Sequence, residues 1–171
     1  MFSFTLQLHE FAVGVSSMID ALRVAIDLHP QSHADRDALR RRLEHALMES
    51  DRLAGDPVPG WRTLRGMYWI DLALHGNSVR MVPELPSEAG QSVFAGVAVA
   101  LQMAILAHAQ DGIDPQSLMQ AIEAEVKDFA YEGMPFEAQA RGLDMALEFL
   151  EYLLLSIAAS QRPDGDGNTD R

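Results

Sequence analysis

The chain has no cysteine, only one lysine (Lys127), and none of the glycine-rich signatures that cradle phosphates or present an activated serine. Without thiols, disulfides, thiolate metal sites and cysteine nucleophiles are all excluded. The missing Gly-x-Gly-x-x-Gly, P-loop and Gly-x-Ser-x-Gly patterns leave dinucleotide, nucleotide and serine-hydrolase chemistry without support in the sequence. Long apolar runs are also scarce. The longest, over 93–107, is about 15 residues and contains Gln102, short of the roughly 20 that a membrane span takes, so it reads as a buried helix and no membrane partner is expected. The opening Met1-Phe2-Ser3-Phe4 lacks the basic region and apolar core of a secretory signal, which makes a cytoplasmic location the default expectation. Twelve Arg against one Lys, with abundant Ala, is a bias associated with GC-rich bacterial genomes.

What is present suits one globular domain. A chain of 171 residues with 48% apolar content can bury a sizeable core without staples. The net charge of −12 is unevenly placed, with 10 acids and 9 Arg giving −1 over residues 1–80, and 15 acids and 4 bases giving −11 over 81–171. Such a field repels phosphate backbones and attracts basic proteins, so no nucleic acid is expected. Solubility alone is an equally good reason for the acidity.

Apolar spacing predicts helices throughout. Phe2, Phe4, Leu6 and Leu8 alternate like a strand but run into a helical stripe of Leu8, Phe11, Val15, Met18, Leu22 and Ala25, so they read as the start of a first helix that His29-Pro30 ends. Ser32 and Asp35 have the form of a capping box for a second helix, whose apolar face runs from Ala38 through Leu39, Leu43, Ala46 and Leu47 to Leu53 before Gly55 stops it. Its other face offers Asp37/Arg41 and Arg40/Glu44 at ion-pairing distance along the helix. After the Asp56-to-Gly60 turn, Trp61, Leu64, Tyr68 and Leu72 predict a short aromatic helix packed inward. An irregular loop is expected at about 76–90, then a helix over about 88–109 that is apolar nearly all round and rich in small residues, as a central helix would be. Asp114-Pro115 caps a helix carrying Leu118, Ile122, Val126 and Phe129, with Gly133 as terminator. From Pro135, the heptad-like series Phe136, Ala140, Leu143, Leu147, Leu150, Leu154 and Ile157 predicts a last helix facing the core, and residues 161–171 are too polar to fold. The fold expected is an all-α antiparallel bundle of five to six helices around the central apolar one, forming a single domain over 1–160.

Chemistry-bearing constellations are sparse. Di-iron bundles place Glu-x-x-His on one inward face, and the chain has none. The pairs Asp71/His75, His45/Glu49 and His29/His33 stand four apart, a spacing that surface or capping histidines also show, so neither a metal nor a cofactor is expected. Arg23…His29 and Arg40…His45 have the arginine-then-histidine spacing of the HEPN ribonucleases, also helical bundles, but this composition gives about one such pair by chance, and the acidic field opposes an RNA substrate.

Three functional expectations follow. The first is a non-enzymatic interaction protein that binds a basic protein partner, as an adaptor, an inhibitor or immunity factor, or a chaperone, through the acidic band Glu123, Glu125, Asp128, Glu132, Glu137, Glu148 and Glu151. The second is an enzyme or metal-binding bundle with a pocket near Trp61, Tyr68, Trp69, Asp71 and His75, or a HEPN-like ribonuclease, although aromatics on an amphipathic helix are more often core. The third is a self-assembling subunit, such as a homodimer, using the second apolar line Met145, Phe149 and Tyr152 of the last helix.

Overall fold

The computed structural model describes the backbone of residues 2–75, 87–127 and 136–161, and the side chains of 9–75, 93–127 and 136–160. Seven helices are present among them: α1 (Phe2–Leu28), α2 (Pro30–Ala34), α3 (Arg36–Ala54), α4 (Trp61–Leu74), α5 (Ser87–Gln110), α6 (Pro115–Val126) and α7 (Phe136–Gln161), with no strand among the described residues. The expected all-α bundle is what the chain forms. The six longer helices match the expected elements, and the seventh, α2, is a five-residue turn. The remainder of the expected loop and tail, Gly133 and Pro135 lie outside the described residues.

The helix boundaries follow local chemistry. His29 stays extended before Pro30, as a residue preceding proline must, and caps α2 by accepting Gln31 N–H at its ring. Asp35 is the N-cap of α3, accepting from Ala38 N at 3.0 Å. Ser32, expected as its partner in a capping box, is instead buried in α2 and donates to the His29 carbonyl at 2.8 Å. Gly55 ends α3 in the left-handed conformation. Asp114 caps α6 at Ser117 N, with Pro115 at the first helical position.

Sequential helices α3 and α4 are antiparallel. Asp51 near the end of α3 receives Arg62 N and Thr63 N at 3.1 and 2.9 Å, supplying the anion that the side-chain-free Gly60 cap of α4 lacks. At the opposite end of the hairpin, Arg40 holds Asp71. Between them Gly66 lets the helices approach, its Cβ position lying 2.8 Å from a Leu47 methyl. The central pair, by contrast, runs in one direction: Phe11 faces Phe94 at 6.4 Å, Ala25 meets His108, and His29 meets Asp111. Helix α5 touches α1, α3, α4, α6 and α7, while α1 touches α2, α4, α5, α6 and α7, so the centre is shared by two helices.

One contiguous cluster of buried residues joins α1, α3, α4, α5, α6 and α7. The window Val93–Gln110 of α5 is in fact long and apolar enough to cross a membrane by length and composition, yet 56% of it is buried inside the bundle, as befits a core helix. Two faces differ from expectation. On α4, Leu64 (77% exposed), Tyr68 (60%) and Leu72 point outward, and the buried side is Gly66, Met67, Ile70, Ala73 and Leu74. On α7, Phe136 is 85% exposed and Ala140 is exposed, while Ala138, Gly142 and Ala146 are buried one turn apart before Leu150, Leu154 and Ile157 take over. At Gly142 a Cβ would come within 2.6 Å of Val13 Cβ, so α1 and α7 touch there almost backbone to backbone.

Candidate functional site

Because α1 and α5 are parallel, their C-terminal ends lie together, and two helix ends leave unpaired carbonyls and partial negative charge in one place. Two imidazoles and an arginine answer them. His108 Nε2 donates to the Ala25 carbonyl at 2.7 Å, His33 Nε2 donates to the Asp27 carbonyl at 2.7 Å, and Arg42 Nη2 donates to the Ala107 carbonyl at 3.0 Å. Gly112, at φ 78°, lets Ile113 N reach back to the His108 carbonyl and closes α5. Arg42 also grips both oxygens of Asp111 at 2.9 and 2.8 Å, and these hydrogen bonds hold the Asp111 carboxyl below the usual carboxylate range.

His29 and His108 are buried, with ring centroids 4.8 Å apart and edge-on. Since Nδ1 of His29 accepts from Gln31 N, its Nε2 carries the hydrogen; that nitrogen lies 2.9 Å from Asp111 Oδ2 but off the N–H direction. The Nδ1 atom of His108 has no partner, and burial pushes the His108 imidazolium pKa down. Among the described residues no three imidazoles and carboxylates are grouped to hold a metal ion. With Asp111 occupied by Arg42 and both rings shut away from solvent, the geometry ties α1, α3 and α5 together and presents no open acid–base pair.

The arginine–histidine pairs dissolve into this framework. Arg23 pairs with Asp20 at 3.2 Å and Arg40 with Asp71 at 2.7 Å, while His29 belongs to the buried junction and His45 is exposed on α3. Arg36 donates to the carbonyls of Ser32 and Leu74. Much of the basic charge of the N-terminal half therefore serves helix ends and internal carboxylates. Glu49 binds Arg52 at 2.8 Å, not His45.

On α4 the five expected pocket residues separate. Tyr68 and Trp69 stack edge-on at 5.1 Å and, with Leu64, Arg65 and Val93, line a shallow depression of about 320 Å³. Trp61 is half-buried beneath the Arg62 guanidinium, 5.2 Å from its ring. Asp71 spends both oxygens on Arg40, and His75 is exposed at the helix end, bonded to Asp71 only through the backbone. Asp71 is thus not placed to orient His75.

The acidic residues fall on two helices. Glu123 is paired to Lys127 at 2.7 Å and Glu125 is exposed on α6, while Asp128 and Glu132 lie outside the described residues. On α7, Glu137, Asp144, Glu148 and Glu151 are exposed, and none of them forms an ion pair among the described residues, the only base of that helix, Arg141, being bound to Glu10 at 3.2 Å. Met145 (47% exposed), Tyr152 (64%) and Leu155 (65%) are exposed on the same helix, three or four residues from one or another of these acids. Phe149, half-buried, turns toward the body of the protein, where a groove of about 350 Å³ opens between α1, α5 and α7. Its wall is a run of rings, Phe11 to Phe94 at 6.4 Å and Phe94 to Phe149 at 5.1 Å, with Tyr152 a further 6.3 Å along.

Sequence spacing missed the junction, since Arg42, His108 and Asp111 lie on elements far apart in the chain. One signal was available: His108 is a basic residue in the last turn of an otherwise apolar helix, which a buried ring can occupy only with a partner for its N–H. No family model, curated protein or solved structure matches the chain.

Proposed function

We propose that this protein is an interaction module that takes a basic, amphipathic segment of another protein on the outward face of α7. The observation that carries the reading is that exposed Met145, Tyr152 and Leu155 share a face of α7 with the carboxylates Asp144, Glu148 and Glu151, which form no ion pair among the described residues. Apolar atoms supply the association energy of a docking surface and charges its selectivity and rate. A second copy of this chain laid on the same face with two-fold symmetry would set carboxylates against carboxylates, which favours a cationic partner over self-pairing.

The test uses a synthetic Lys-rich amphipathic helical peptide and its Glu-substituted counterpart, titrated against the full chain at low and moderate salt. Binding of the Lys peptide alone, weakened by salt and by the combined Asp144→Asn, Glu148→Gln and Glu151→Gln substitutions, is the expected result. Equal binding of both peptides, or no effect of the three substitutions, overturns the reading.

A different observation favours self-association as a second reading. The exposed stripe Leu64, Tyr68 and Leu72 of α4 has Arg65 beside it, and the described residues lining the depression there include no acid, so two copies could meet there without like-charge crowding by those residues. Equilibrium sedimentation of the wild type and of Leu64→Lys decides it: a monomer in both removes this reading.

A further inference from the structure

We infer that the groove between α1, α5 and α7 is the anchor pocket of this surface, built to take one aromatic or long aliphatic side chain of the basic segment, with a Lys or Arg of that segment one turn away meeting Glu148. The inference rests on the reading of α7 as the partner-facing helix and adds to it what the partner must carry.

Three features support it. The groove is continuous with the exposed face, since Met145 and Glu148 belong to both. Its walls are unfinished as a core: Phe11, Phe94 and Phe149 stack on one another, yet each is only half-buried, so three rings keep edges in contact with water that a fourth apolar group would cover. Its depth is set by two glycines. Gly142 brings α1 and α7 into close contact, and Gly14 meets it from α1, where a Cβ would stand 3.3 Å from the Gly142 carbonyl oxygen and 3.9 Å from Met145 Cβ, so the groove is floored by a close backbone contact with no side chain between the two helices there.

Charge then decides the occupant. Among the described residues, Glu148 is the one charged group in the lining and has no ion pair. Asp144 lies one turn before it on the exposed face and Glu151 one turn after. A carboxylate at the rim of an apolar slot selects an apolar group with a cation beside it, because desolvation at the rim strengthens the attraction and penalises an acidic neighbour. On a helix the residues three or four positions from the anchor fall next to it, so the recognition pattern is an apolar anchor with Lys or Arg at that spacing.

The experiment compares three Lys-rich amphipathic peptides of equal charge, differing only in a central Ala, Leu or Phe, against the full chain and against Met145→Ala and Phe149→Ala. Circular dichroism of both variants checks folding, and Met145, being half-exposed, is the variant expected to keep full stability. The Phe-anchored peptide should bind the wild type about 10-fold or more tighter than the Ala peptide, and both substitutions should shrink that ratio. Equal affinity for the three anchors, with charge-dependent binding intact, overturns the pocket and leaves the α7 surface standing. An anchor preference that both variants retain also overturns it, because the side chain is then seated elsewhere. No binding of any peptide overturns the surface and the pocket together.

Discussion

The imidazole of His108 donates from Nε2 to the carbonyl oxygen of Ala25, 83 residues earlier in the chain, and keeps its other nitrogen buried without a partner. A ring so placed fits its site only when neutral. Protonation would put a hydrogen on Nδ1 with nothing to accept it, in a site that already contains Arg42 and His29, with Asp111 the nearest counter-charge.

Stability should therefore fall on mild acidification. His108 is held below its ordinary pKa in the folded state, so the unfolded chain binds the proton first, at about 6.5, and its contribution is complete above that value and lost as pH falls beneath it. The slope reaches at most about 1.4 kcal/mol per pH unit for one proton. Urea denaturation at about pH 7.5 and about pH 5.5 measures it, and His108→Gln, which keeps an N–H donor, should flatten the difference. The depressed Asp111 carboxyl acts in a separate window, contributing above the unfolded value of about 3.9 and losing that contribution only as pH falls further.

Arg42 and Arg41 are neighbours with opposite fates. Arg42 holds the Ala107 carbonyl, Gln110 and Asp111, whereas Arg41 is exposed and forms no ion pair among the described residues. Arg42→Met should cost about 1–2 kcal/mol, mainly from the helix-end carbonyl left unpaired, and Arg41→Met should stay within about 0.5 kcal/mol. Parallel denaturant curves give both numbers.

Two glycines predict unequal costs. A methyl at Gly142 meets Val13 Cβ at 2.6 Å and the Glu10 carbonyl oxygen at 2.7 Å, both fixed by backbone, and Gly142→Ala should destabilise by about 1–3 kcal/mol despite the better helix propensity of alanine. At Gly66 the obstacle is the Leu47 methyls at 2.8 and 2.9 Å, which can rotate away, so Gly66→Ala should cost less. Thermal melts that rank them the other way would contradict the packing described.

The outward stripe of α4 makes a third contrast. Leu64→Ser and Tyr68→Ser should leave the melting temperature nearly unchanged, because both side chains are mostly in water, while Ile70→Ala in the buried face should cost about 2–5 kcal/mol.

Helix ends were the most legible part of the fold, because capping is local: Pro30, Asp35, Gly55 and Asp114-Pro115 act on backbone groups within a few residues. Helix faces were less so. Helix α4 is apolar on two sides, and hydrophobicity alone favoured Leu64, Tyr68 and Leu72 over the side that Gly66 allows to approach Leu47. On α7 a heptad of large residues masked the series Ala138, Gly142 and Ala146, which is buried because it is small rather than because it is greasy. The acidic, part-apolar surface of α7 was visible as composition. The groove beside it was not, since Phe11, Phe94 and Phe149 become neighbours only once three distant helices are assembled.

The parallel pairing of α1 with α5 also sets a timetable. Helix α1 is apolar around most of its circumference, from Val13 to Ile26, and its companion is made 83 residues later. At roughly 5–20 residues per second, a nascent α1 waits about 4–17 s on the ribosome before α5 exists to cover it. The α3–α4 hairpin, closed by Asp51 and Arg40, can form during that interval, but the greasy first helix needs shelter until the fifth emerges.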